Sequence, residues 1–411
     1  MTTKQRVPAS EAHKWEFKAR FRRHAFGWQS QPAIVRIKQA IAEIKKVAKN
    51  DALLAAEGAL LFLERVSPAL KQVDSSSGSI GTAVNNAIAE LVPIIANAPA
   101  NAKLRNAWLE RLFHAYQEDD IPYLEGLGDH WGALSGSKEV ASAWADRFID
   151  TVKLAWSPDP NLRGFFKGTT NCLSALVAAE RYDDVLALLE LAPYEMWQYR
   201  QYGVEALAAR GNKADAIRYA ETGRGLNDSP VAIAQACERV LLSSGLVDEA
   251  YSRYGLEANQ AGTYLATFRA VAKKYPHKPV REILGDLVSI SPGEEGKWFA
   301  AAKDAGLYDD ALALASRTPC DPKTLARAAR DYADKQPAFA VGAGVLSLHW
   351  LVQGYGYEIT GADVWEAYRA TLAAAERQGC GAEVKERVCK VIAAETAGGF
   401  VRKVLGRELG L

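Results

Sequence analysis

The sequence lacks the long apolar runs and the closely paired cysteines by which many proteins are first classified. It has no run of about 18 to 20 apolar residues, which argues against a membrane-spanning helix. Its first residues lead into a basic stretch without the apolar core of a secretory signal, which favours a cytoplasmic protein. The five cysteines are odd in number and widely spread, which argues against a disulfide framework and favours buried thiols.

The common catalytic signatures are also absent. The sequence contains no GxxxxGKS/T phosphate loop and no GxGxxG, HExxH or GxSxG motif, so we expect no enzyme, no cofactor and no metal. Two weaker alternatives remain, a thiol–imidazole pair of Cys320 with His349 and a histidine–carboxylate metal cluster. The cluster would draw on His114, Glu118, Asp119, Asp120, Asp129 and His130. A helix end followed by a cap and a loop explains these residues more simply.

What the sequence does contain is helical periodicity. Residues 32–49 place Ile34, Ile37, Ile41, Ile44 and Val47 at steps of three and four. Alternating strand patterns are scarce, whereas 49% hydrophobic and 24% charged residues are typical of a packed globular interior. We therefore predict an all-α fold of stacked antiparallel helix pairs.

A short sequence returns in the second half of the chain. Tyr182–Leu188 reappears as Tyr308–Leu314 with six of seven residues identical, and weaker copies begin near residues 214, 248 and 279. Each copy follows an apolar helix and a short turn, so the pattern predicts a helix–turn–helix unit of about 31 residues.

Over residues 165–350 this unit resembles the tetratricopeptide repeat (TPR). The second helix of that repeat opens with a small residue, and the corresponding positions are Val185, Ala216, Ala250 and Ala311. The resemblance implies an α-solenoid. Together with turn-forming breaks, it predicts an N-terminal segment (1–30), a helical region (31–156), TPR-like repeats (161–353) and a C-terminal helical cap (358–411).

The charge is distributed unevenly. Residues 1–50 hold twelve Lys or Arg against three Glu, a net charge of +9, although the whole chain carries only +1. Aromatic and basic residues alternate over residues 14–28. If this segment is helical, Phe17, Phe21 and Trp28 share one stripe and either plug the end of the array or stack on a ligand. The cations predicted to bind a partner are Lys14, Lys18, Arg20, Arg22 and Arg23.

A second predicted binding patch combines Trp197, Tyr199 and Arg200, within an aromatic group that also includes Tyr194 and Tyr202. The same spacing also fits buried core. The turn Gly223-Arg224-Gly225 is either a connector or an anion site. From these features we predict a scaffold that binds a protein partner. A nucleic-acid-associated protein that uses the basic N-terminal face is the alternative.

Overall fold

The computed structural model describes residues 13–223, 228–395 and 399–411. Helices make up 72% of this part of the chain, and none of the described residues forms a strand. The prediction of an all-α fold built from packed helices is therefore confirmed.

The chain divides into two compact units, Met1–Ser229 and Pro230–Leu411. This division lies inside the region predicted as one repeat array, and the predicted domain limits stay predictions. The first unit contains, in order, α1 (Glu16–Arg20), α2 (Ser30–Ala48), α3 (Ala52–Leu70), α4 (Ser79–Ala96), α5 (Ala102–Gln117), a 3₁₀ turn (Glu125–His130), α6 (Trp131–Ser135), α7 (Lys138–Ala155), α8 (Thr169–Ala178), α9 (Tyr182–Glu190), α10 (Trp197–Ala209) and α11 (Lys213–Thr222).

The second unit is likewise helical throughout its described part. It contains α12 (Pro230–Leu242), α13 (Val247–Ala250), a π-helical turn (Tyr251–Gly255), α14 (Leu256–Ala258), α15 (Tyr264–Lys274), α16 (Val280–Ser289), a 3₁₀ turn (Glu295–Trp298), α17 (Phe299–Asp304), α18 (Tyr308–Arg317), α19 (Pro322–Tyr332), α20 (Pro337–Val352), α21 (Gly361–Gln378), α22 (Gly381–Ala393) and α23 (Phe400–Leu409).

Helix α2 shows how the periodicity produces packing. Ile37, Ile41 and Ile44 are buried against α3 and α4, while Ile34 and Val47 at the ends of the stripe are half-buried. Burying a side chain of this size contributes roughly 1.5–3 kcal/mol. The predicted helix and its apolar face are confirmed.

The run Asp74-Ser75-Ser76-Ser77-Gly78 predicts a loop, with Ser79 as the cap of a helix that runs to Ala96. Helix α4 does follow this loop, and it ends at Ala96. Its cap differs by one residue: Gly78, in a left-handed conformation with φ 68°, occupies the N-cap position predicted for Ser79. Among the described helices, α4 alone is long and apolar enough to cross a membrane. Because its apolar face packs on α2 and α3, and core helices pass the same test, it gives no clear membrane span.

The two helices of each of four pairs in the repeat region are joined by the same type of turn. The pairs are α8/α9, α10/α11, α12/α13 and α17/α18. In the last pair, Gly306 N donates to Lys303 O (3.0 Å) and Leu307 N donates to Ala302 O (2.9 Å). These two bonds define a Schellman motif, which satisfies carbonyls that the ending helix leaves free. The left-handed residues of the four turns are Glu180, Gly211, Gly245 and Gly306. The copies therefore repeat in backbone geometry as well as in sequence.

The small residues that opened the repeated helices are all buried. Val185, Ala216, Ala250 and Ala311 each have 0% of their surface exposed. A degenerate copy predicted near residue 279 also starts a helix, α16. Small residues of such a repeat are expected where paired helices approach most closely, and the burial of Ala216, Ala250 and Ala311 confirms this prediction.

Candidate functional site

Helix α1 is short, and the side chain of Glu43 on α2 holds its first turn. The two carboxylate oxygens accept hydrogen bonds from Glu16 N (2.7 Å) and Phe17 N (3.1 Å). The first amides of a helix have no partner within the helix, so a carboxylate from a neighbour both satisfies them and favours the positive end of the dipole. Glu43 therefore fixes the N-terminus of α1 on α2.

The aromatic side chains of the segment point into the first unit. Phe17 and Phe21 are almost fully buried and meet Phe62 of α3 edge-on, with ring centroids 6.0 and 5.1 Å apart. Trp15 lies against Gly58, where an added Cβ would come within 2.3 Å of its ring. Edge-to-face aromatic pairs add to the stabilisation from burial alone. These rings therefore anchor the segment on the first unit and are not free to stack on a ligand.

Trp28 does not join this cluster, and its predicted place on the stripe is wrong. The helix ends at Arg20, so the spacing that would have aligned Trp28 with Phe17 and Phe21 is interrupted. The Trp28 side chain is 72% exposed, and Phe26 packs edge-on against Phe21 instead (5.4 Å).

The five cations predicted to bind a partner are all exposed. The side chains of Lys14, Lys18 and Arg22 form no ion pair or hydrogen bond with any residue that the structure describes, and on α2 the same is true of Lys38 and Lys46. Between residues 13 and 50 ten cations face two carboxylates, which leaves a net charge of +8. Both oxygens of one of these carboxylates, Glu43, are occupied by the backbone of α1. Eight exposed cations of α1, its flanking residues and α2 are here named the basic face: Lys14, Lys18, Arg20, Arg22, Arg23, Arg36, Lys38 and Lys46.

Two arginines of the basic face converge on one amide. Arg20 Nη1 and Arg36 Nη1 both donate to Gln39 Oε1, at 3.0 and 2.8 Å. Arg20 also lies 3.8 Å from the carboxylate of Glu16, whereas Arg36 has no carboxylate within 4.0 Å among the described residues. The sequence analysis missed Arg36, since only the antiparallel packing of α1 on α2 brings it beside Arg20.

Arg23, which follows α1, borders a cavity of about 400 Å³ that also touches the end of α3 and the loop after α5. Lys71 in this cavity pairs with Asp120 at 2.7 Å, and this hydrogen bond, helped by the charge of Arg23, lowers the pKa of Asp120. Behind it, buried Asp119 accepts hydrogen bonds from Ser67 Oγ and Leu124 N, and burial raises its pKa. Two cations, Arg23 and Lys71, face two carboxylates, Glu118 and Asp120, in this cavity. The cavity therefore adds no net positive charge to the basic face.

The second predicted patch is mostly interior. Trp197 and Arg200 are 8% and 7% exposed, and Tyr199 is half-buried with its ring edge-on to Trp156 (5.1 Å). The Arg200 guanidinium stacks on Tyr219 at 3.9 Å and donates to the Tyr219 carbonyl. The contacts of these residues are those of core packing, and their role in partner binding stays a prediction.

The turn considered as an anion site begins at Gly223, and its residues 224 and 225 lie outside the described ranges. At Gly223 itself, an added Cβ would approach Arg200 Nε to 1.9 Å. A glycine at this position therefore makes room for the buried guanidinium.

The residues considered for a metal cluster have separate environments. His114 lies 3.6 Å from Glu118, and both are exposed. Asp119 is buried, whereas Asp129 accepts a hydrogen bond from Tyr202 Oη at 2.6 Å. No group of three or more His, Cys, Asp or Glu side chains arranged to hold a metal occurs within the described residues.

No two of the five cysteines, all of which the structure describes, are joined by a disulfide, and Cys172, Cys237 and Cys320 are buried. Burial raises the pKa of Cys320 to about 12. A thiol with so high a pKa stays protonated near neutral pH, which opposes its use as a nucleophile.

No protein-family model matches this chain, and no curated protein matches it. The candidate site combines buried aromatic side chains with a dense set of exposed cations around them.

Proposed function

We propose that the protein is a non-enzymatic, TPR-like helical scaffold in the cytoplasm, and that its basic face binds an acidic surface of a partner protein. One observation carries the proposal: the aromatic and basic residues of segment 13–23 are fully separated, with the rings buried and every Lys and Arg exposed. A chain that needed these residues only for folding would gain little from cations without partners, since exposed charges contribute little to stability.

The TPR-like part of the proposal is supported by the repeated helix pairs. Their Schellman turns and buried small residues recur after 31, 34 and 61 residues, and the last interval is about twice the repeat unit, as expected of units that stack on their neighbours. Stacked helix pairs offer extended surfaces, which suits a scaffold.

Binding of single-stranded nucleic acid is less well supported. Such binding combines cations with aromatic rings on which bases stack. In this segment Trp15, Phe17 and Phe21 are buried, and Trp28 remains as the exposed large aromatic ring. The cations could still neutralise the phosphates of a duplex, so nucleic acid is the alternative that the experiment must separate.

The experiment is an affinity pull-down from the native host with the full chain, with and without nuclease. In the test variant, Lys14, Lys18, Arg20, Arg22 and Arg23 are replaced by Ser. In the control variant, five exposed cations of the second unit without ion pairs among the described residues, Lys335, Lys385, Arg387, Lys403 and Arg407, are replaced by Ser. Both variants lose the same charge.

We expect proteins that are recovered by the wild type and the control in the presence of nuclease, and that the test variant loses. If the test variant retains every interaction, the basic face is only an end cap and the proposal is wrong. If the recovered material disappears with nuclease, and binding to a DNA duplex falls by about 10³ or more between 50 and 200 mM salt, the nucleic-acid alternative replaces it.

A further inference from the structure

The basic face contains one place where two guanidinium groups share a single acceptor. Because Arg20 Nη1 and Arg36 Nη1 both contact Gln39 Oε1, they lie within about 6 Å of each other, a separation at which like charges repel. The shared oxygen is a neutral amide, which satisfies one donor of each arginine but does not compensate their charge.

Each guanidinium has further donors. Arginine carries five N–H donors in a planar fork. Arg20 uses one for Gln39 and places Nη2 near Glu16, at the long distance of 3.8 Å, and the Glu16 side chain is 78% exposed. Arg36 uses one for Gln39 and no other with a described residue. Most donors of the pair therefore have no hydrogen-bond partner among the described residues.

The pair is also held in place by the fold. Arg36 and Gln39 are three residues apart on α2 and therefore lie on the same side of that helix. Arg20 ends α1, which Glu43 fixes against α2 and the aromatic cluster fixes against α3. The backbone positions of both arginines are thus set before any ligand arrives, which lowers the cost of ordering the site.

We propose that Arg20 and Arg36 form a binding site for a phosphate monoester, carried by a phosphorylated side chain of the partner protein. A phosphate monoester has close to two negative charges at neutral pH and three acceptor oxygens. Two oxygens can accept from the two arginines while the third stays in water. A glutamate carboxylate offers one charge and two oxygens, so it matches the pair less well. The site rests on the proposed function, because it names the acidic group that the basic face recognises.

The binding test uses the full chain and three labelled glutamate-rich peptides that differ only at the central residue: phosphoserine, glutamate or serine. Fluorescence anisotropy gives each Kd. We expect wild-type protein to bind the phosphoserine peptide about tenfold more tightly than the glutamate peptide, because arginine–phosphate hydrogen bonds are charge-assisted.

The variants separate the specific contribution of Arg20 and Arg36 from the effect of positive charge in general. In Arg20→Gln with Arg36→Gln, the preference for phosphoserine over glutamate should fall to within about twofold. The matched control, Lys38→Gln with Lys46→Gln, removes the same charge from exposed α2 positions and should weaken both peptides while keeping the preference. Arg36→Lys keeps the charge but loses the fork and should reduce the preference.

The outcomes separate a failure of the phosphate site from a failure of the proposed function on which it rests. Equal binding of the phosphoserine and glutamate peptides by wild type, or a preference that survives loss of both arginines, overturns the phosphate site and leaves the acidic-partner proposal standing. If none of the peptides binds and the five-Ser variant loses nothing in the pull-down, both proposals fail. A DNA duplex that loses more affinity with Arg20 and Arg36 than with Lys38 and Lys46, and that outcompetes the phosphoserine peptide, assigns the pair to a nucleic-acid backbone instead.

Discussion

The basic face and the repeated helix pairs use charge in opposite ways. In the repeats, arginines of one helix pair with carboxylates of another: Arg210 with Asp183 at 2.6 Å, and Arg281 with Asp310 at 3.0 Å. On the basic face, Lys14, Lys18 and Arg22 have no such partner among the described residues. Several arginines of the repeats are thus paired within the fold, whereas Lys14, Lys18 and Arg22 of the basic face remain available to another molecule.

The two regions also differ in the size of the side chains at their helix contacts. Large rings such as Phe17, Phe21 and Phe62 pack α1 onto the rest of its unit. In the repeats, alanines such as Ala216 and Ala311 bring neighbouring helices together. The first arrangement should be sensitive to loss of volume, and the second to its addition.

The largest effect is expected where volume is removed from the aromatic cluster. Phe21→Ala should lower the free energy of unfolding by about 3–5 kcal/mol, because a nearly fully buried ring is replaced by a cavity. Trp28→Ala is the control, and its 72% exposed ring should cost no more than about 0.5 kcal/mol. Urea unfolding measures both, and similar losses would contradict the division of the segment into anchoring and exposed rings.

The second effect concerns added volume in the repeats. Ala311→Trp should destabilise by about 1–3 kcal/mol, because the buried alanine leaves no room for an indole. Ala313→Trp, at an exposed position of the same helix, is the control and should melt close to the wild type. An unchanged melting temperature for Ala311→Trp would mean that the repeat alignment is wrong.

A smaller effect is expected at the repeated turns. Glu180 adopts φ 58° where the other three turns have glycine, and a non-glycine residue in this conformation costs about 1–2 kcal/mol. Glu180→Gly should therefore stabilise the first unit by up to about 1 kcal/mol, even though it removes an exposed ion pair with Lys138. The reciprocal Gly306→Ala should destabilise. Calorimetry of both variants checks the signs, and two shifts in the same direction would refute the equivalence of the turns.

The smallest effect is expected on the basic face. Replacing Lys14, Lys18, Arg20, Arg22 and Arg23 by Ser should change the free energy of unfolding by less than about 1 kcal/mol, since these side chains are exposed and mostly unpaired. A much larger loss in thermal unfolding would show that the cations support the fold, and the contrast with the repeats would disappear.

Much of the fold could be predicted from local pattern. The apolar stripe of α2, the end of α4 at Ala96 and the repeated helix starts all follow from periodicity and turn residues, which act over a few positions. The candidate site was harder to predict from the sequence. Trp28 continues the spacing of Phe17 and Phe21, but the helix ends at Arg20, a boundary that spacing alone did not reveal.

By itself, the sequence determined the class of the protein: the helical period, the repeated unit and the excess of cations near the N-terminus are properties of neighbouring residues. Only the tertiary structure decided how these residues are used. It buried Arg200 on Tyr219, turned the rings of segment 13–23 inward and brought Arg36 beside Arg20. The reason is that burial and charge pairing depend on residues far apart in the chain, and these meet only when helices pack.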